Sequence, residues 1–77
     1  MRVLLLDDGS AHDVFDVVDT RDSLVRARTP YMFEIGEELP VRIEREGKPA
    51  HDTTARVRAH VGGPDKITEL ELAEPAP

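Results

Sequence analysis

Two stretches of this chain alternate apolar and charged residues one for one, and that pattern constrains the fold more than any other feature. From Leu39 to Glu46, Leu39, Val41 and Ile43 fall on one side while Arg42 and Glu44 fall on the other. From Thr54 to Val61, Ala55, Val57, Ala59 and Val61 oppose Arg56, Arg58 and His60. A period of two is what a strand with one buried and one wet face requires, whereas a helix would need a period near 3.6. Glu46-Gly47-Lys48-Pro49 supplies turn chemistry between them, so the two runs predict an antiparallel hairpin.

Shorter signals surround this hairpin. Arg2 to Leu6 reads as a strand stopped by Asp7-Asp8-Gly9-Ser10. Val14 to Val18, β-branched and aromatic around one acid, reads as a second, with the polar Asp19 to Ser23 as its exit. Leu24 to Thr29 alternates, with Val25 and Ala27 opposite Arg26 and Arg28, and Pro30 ends it because proline cannot donate to a ladder. Tyr31 to Ile35 is an apolar connector, and Gly36-Glu37-Glu38 turns the chain again. Gly62-Gly63-Pro64-Asp65 predicts another reversal. In Lys66 to Ala73, Leu70 and Leu72 suit a closing strand, while the Glu, Leu and Ala content suits a short helical turn near the C-terminus. Residues 74–77 read as a frayed tail. Five or six short strands with turn signals about every 8 to 12 residues imply an all-β domain over residues 1–77, a small antiparallel barrel or sandwich.

Size and composition narrow the chemistry. A chain of 77 residues is one domain, and a domain this small buries only about 60% of its unfolded surface. Aromatics are 4% of the residues, so Val, Leu and Ile build the core, with Phe15, Tyr31 and Phe33 as its large pieces. No cysteine is present, which removes disulfides and thiolate metal sites. MRVLLLDD reaches two acids too soon for a signal peptide, and no run approaches the roughly 20 apolar residues of a membrane span. The expectation is a cytoplasmic protein without membrane insertion. A net charge of −6 argues against nucleic acid as a partner.

Catalytic constellations are not evident. His12, His51 and His60 are scattered, and the neighbours His12-Asp13 and His51-Asp52 would point to opposite faces of a strand, so surface or loop positions are expected and no metal site. Ser10, Ser23, Thr53 and Thr54 lack a nucleophile motif, and Gly62-Gly63 lacks the rest of a phosphate loop. MRVLLLDDG resembles the first strand and acidic pair of receiver domains, but over nine residues of a chain too short for their alternating α/β fold. The arginines are more informative. Arg26 with Arg28, and Arg56 with Arg58, each share a strand face. They form either a basic stripe able to grip carboxylate or phosphate, or cross-strand partners for Glu and Asp on a wet sheet face.

Taken in order, VVDTRDSLVRARTPYMFEIGEELPVRIE (17–44), TARVRAHV (54–61) and ITELELAE (67–74) resemble a PilZ domain. In that family a strand ends in a D-x-S-x-x-G loop, followed by a GLRVRT-like strand, a G-x-x-V-x-L-x-L strand, a GRVVR-like strand and a closing strand. Leu24 to Thr29, Gly36 with Leu39 to Ile43, and Ala55 to His60 fall in that order. The resemblance implies a six-stranded antiparallel barrel, and in many members binding of c-di-GMP through an R-x-x-x-R motif and the loop. No R-x-x-x-R occurs here, and Asp19-Thr20-Arg21-Asp22-Ser23-Leu24 fits the loop in neither register: one replaces its aspartate and glycine, the other its serine and glycine.

A dianionic dinucleotide needs fixed guanidinium partners, and this loop sets two carboxylates around one arginine. The resemblance therefore implies a degenerate member without c-di-GMP or any other cofactor, a non-catalytic adaptor in bacterial signalling or motility. A protein partner is expected at Arg26, Arg28, Arg56 and Arg58, and an exposed edge strand could pair two copies. The alternative expectation is a nucleotide sensor using Arg21, Arg26 and Arg28.

Overall fold

A computed structural model describes residues 1–61 and 66–73 of the chain. These residues form an all-β fold with no helix: β1 (Arg2–Asp7), β2 (Ser10–His12), β3 (Asp16–Arg21), β4 (Leu24–Arg28), β5 (Glu38–Glu44), β6 (His51–Val61) and β7 (Ile67–Leu72). All seven belong to one antiparallel sheet in the order β2-β1-β5-β6-β7-β4-β3. The expected central hairpin is β5–β6, with Val41 opposite Thr53 and Leu39 opposite Ala55. The closing segment is strand and not helix over Ile67–Leu72, while the reversal expected at 62–65 and the tail at 74–77 lie outside the described residues.

The closed six-stranded barrel expected from the sequence is not formed, because the ladder is open with β2 and β3 at its ends. The sheet nevertheless curls enough to bring β1 and β3 near each other, and one apolar cluster fills the concave side. Val3, Val25, Ala27, Val41, Ile43, Ala55, Val57 and Leu70 are all at most 1% exposed. Phe15 plugs this core from the linker between β2 and β3, packing on Phe33 with ring centroids 5.8 Å apart. That role explains why the second predicted strand is displaced. Val14 and Phe15 leave the ladder, and β3 instead runs through Asp19, Thr20 and Arg21, which an edge strand tolerates because most of its side chains remain wet.

Local chemistry sets the turns. Asp8 and Gly9 have φ of 50° and 78°, the two left-handed residues of a tight hairpin whose twist matches its strands. The receiver-like Asp7-Asp8-Gly9 is thus hairpin geometry. Asp22, at φ 54°, with Ser23 joins β3 to β4, and Asp is among the few non-glycine residues that take this conformation readily. Pro40 lies inside β5 without disrupting it: the β1–β5 ladder stops at Leu5 opposite Val41, one residue short of the proline, and β1 continues with β2.

A β-bulge corrects the face assignment on β6. The register shifts between Val57 and Ala59, leaving Arg58 as the extra residue. Ala59 consequently stands opposite Glu69, His60 opposite the buried Thr68, and Val61 is 38% exposed. The unbroken alternation of the sequence predicted Val61 inward, which the shifted register does not give, and His60 exposed, which it is, although it stands opposite Thr68.

Candidate functional site

The arginines share the convex face, where the register interleaves them with acids. Arg56 is opposite Glu71 on one side and Glu38 on the other, Arg26 is opposite Glu69 and Asp19, and Arg28 is opposite Asp16. Ion pairs follow: Arg26 to Glu69 at 3.2 Å, Arg28 to Asp16 at 3.8 Å, Arg56 to Glu38 at 3.2 Å and Arg58 to Glu71 at 3.1 Å. In this register the four arginines form a mixed-charge ladder and not a continuous basic stripe.

Arg42 and Asp52, opposite each other on β5 and β6, make the best-aligned pair. Arg42 Nε donates to Asp52 Oδ1 at 2.8 Å and Nη2 to Oδ2 at 3.4 Å. This hydrogen bonding holds the Asp52 carboxyl below its ordinary value and raises the Arg42 guanidinium above its own. Arg2 reaches both Asp13 at 3.2 Å and Glu44 at 2.9 Å, tying the β2–β3 linker to β5. Arg2 and Asp13, with Asp16, Arg28 and Lys66, line an open cleft of about 710 Å³ where β1 faces β3.

Arg21 stands opposite Leu24 at the end of β3, on the same face as Arg26 and Arg28, and has no ion pair among the described residues. Asp19 and Asp16 lie between these guanidiniums in the register, so the three share a face without forming one cationic cradle. Three residues of the Asp19–Leu24 stretch belong to β3, one to β4, and only Asp22 and Ser23 turn the chain.

Among the histidines, His12 and His60 are exposed and His51 is half-buried, and no three His, Asp or Glu side chains gather as a metal set among the described residues. His60 is nonetheless fixed at both ring nitrogens. Nε2 lies 2.6 Å from the Phe33 carbonyl oxygen, and because a carbonyl only accepts, Nε2 carries the proton. In the neutral ring, Nδ1 then accepts from the Thr68 hydroxyl at 3.3 Å. The bulge at Arg58 is what brings His60 to this position.

His60 is one of several anchors of the feature that sequence reasoning missed, the segment 29–37. Gly36 N–H donates to Val57 O at 2.7 Å and Val57 N–H to Glu37 O at 2.9 Å, extending the β5–β6 ladder past its last regular pair. Glu37 N–H donates to Glu34 O, the Glu37 carboxylate accepts from Glu34 N–H, and Thr29 Oγ1 accepts from Tyr31 N–H. A backbone tied down this firmly carries Tyr31, Met32 and Ile35 at 54%, 73% and 66% exposure. Tyr31, expected in the core, instead leans on Phe33 from outside, 6.1 Å between centroids. Pro30, Tyr31, Met32, Val61 and Ile67, with Lys66 at the rim, enclose a groove of about 190 Å³. The available sequence signal was an apolar run between Pro30 and Gly36 that matched no strand period, so it had no ladder to bury it.

Compared with family models, curated proteins and solved structures, the chain matches none.

Proposed function

We propose that this chain is a non-catalytic protein-interaction module, and that its contact surface is the apolar segment 30–35 with the adjoining ends of β6 and β7. The observation that carries this reading is the pairing of rigid backbone with unburied apolar side chains: Phe33 and Gly36 are held by hydrogen bonds while Met32 and Ile35, their immediate chain neighbours, are 73% and 66% exposed. A segment already ordered loses little entropy on docking, which favours recognition. Tyr31 and Met32 are residue types enriched at the centres of interfaces. The sequence resemblance to PilZ domains supports the same role, that of an adaptor in bacterial signalling, with the two-residue turn Asp22-Ser23 where that family has its ligand loop.

Cross-linking with a photoreactive group at residue 32, set against the same group at residue 26, tests it. Cross-links to protein from position 32 and none from position 26 support the reading, and the opposite distribution refutes it.

One observation favours a second reading, a nucleotide sensor: Arg21 lies on the face of Arg26 and Arg28 with no ion pair among the described residues. Calorimetry with c-di-GMP tests it, since binding through this face must disappear in Arg21→Ala, and no heat at high micromolar ligand ends this alternative.

A further inference from the structure

The apolar segment has charged ends of opposite sign. Because Gly36 and Glu37 bond to Val57, Glu34 and Glu37 sit at that level of β6. Phe33 is held by His60, and Lys66 precedes Ile67, which pairs with Val61 at the strand's far end. Val57 and Val61 are four residue steps apart, a distance of about 13 Å at roughly 3.3 Å per step. Tyr31 and Met32 line one groove with Lys66, on the far side of Phe33 from Glu34, and Ile35 adjoins Glu34 at the carboxylate end.

Such a patch is complementary to itself. In a twofold contact a point on one side of the axis meets the image of the point on the other side, so an acidic end meets a basic end at both edges while the apolar centre meets its own copy. We propose that this face docks a second copy of the chain about a twofold axis near Met32, with Lys66 of each copy against Glu34 of the other. The inference rests on reading the segment as an interaction surface, and adds the partner. Two further features agree with it. Met32 is the most exposed of the large apolar residues and, being unbranched and flexible, can enter the groove between Tyr31 and Ile67 of the facing copy. A partner of one strong charge sign would meet repulsion at one end of the patch, whereas a second copy meets attraction at both.

Sedimentation equilibrium of the whole chain up to millimolar concentration tests the proposal. The expected result is a reversible monomer–dimer equilibrium that Met32→Asp weakens by about tenfold or more, the loss typical of a central anchor. Lys66→Glu and Glu34→Lys should each weaken it about fivefold, as exposed ion pairs do, and the two combined should restore it. A wild-type chain monomeric throughout overturns the proposal, as does a dimer indifferent to Met32→Asp. Single charge reversals that weaken the dimer without rescue by the combination overturn the Lys66–Glu34 pairing. If the wild type is monomeric yet position 32 still cross-links to other proteins, the second-copy inference fails while the interaction-module reading stands.

Discussion

The convex arginine face and the 29–37 segment solve opposite problems. On the arginine face the side chains carry the conspicuous chemistry, and the register satisfies it: each of Arg26, Arg28, Arg56 and Arg58 has a carboxylate within 3.8 Å. On the 29–37 segment the backbone is satisfied, by Val57 and His60, and the apolar side chains are left over. A row of arginines is therefore no evidence of a binding face until its partners across the ladder are known. An irregular apolar loop gains significance when its backbone is held still.

The contrast can be strained at five points. The largest effect belongs beneath both surfaces: Leu70→Ala, in a position with no exposure, should cost about 2–5 kcal/mol in urea unfolding, because the curled sheet has few atoms with which to refill the space. His60→Ala should cost about 1–2 kcal/mol, removing the hydrogen bonds to Phe33 and Thr68, and the Gly36 amide should exchange faster while the amides of β4 do not. Were the exchange of Gly36 unchanged, His60 would not be an anchor of the segment.

Arg26→Ala should cost under about 1 kcal/mol, since its pair with Glu69 is wet on the arginine side. The Arg42–Asp52 pair adds a pH signature. A carboxyl held below its ordinary value of 3.8 contributes stability that is present above that value and is lost as pH falls through the lower, folded one. Acid titration of stability should accordingly show a loss below about pH 4 that is smaller in Asp52→Asn. Met32→Ala should change stability least, within about 0.5 kcal/mol, as expected of a side chain that the fold does not use.

What the sequence made legible was the part governed by period two. Leu39 to Glu44, Leu24 to Arg28 and Ile67 to Leu72 stand where alternation put them, with the predicted residues inward, and so does the β5–β6 hairpin. Three things were hidden for physical reasons. The bulge at Arg58 inserts a residue without any glycine or proline to mark it, so the inward position expected of Val61 is not realised. The edge strand β3 is polar because one side of it is wet, and polarity alone resembles a turn. Closure of a sheet depends on long-range curl and on Phe15 filling the gap, neither of which has a local signature. The site was less legible than the fold: Arg21, Arg26, Arg28, Arg56 and Arg58 stood out by residue type, while Tyr31, Met32 and Ile35 read as ordinary apolar filler.

The measurement that tests most directly which of the two surfaces makes contacts is a dilution series followed by two-dimensional amide NMR. Concentration-dependent shifts confined to residues 31–35 and the ends of β6 and β7 are predicted, with Arg26, Arg28 and Arg56 unmoved. Shifts centred on the arginine face, with 31–35 silent, would contradict the account.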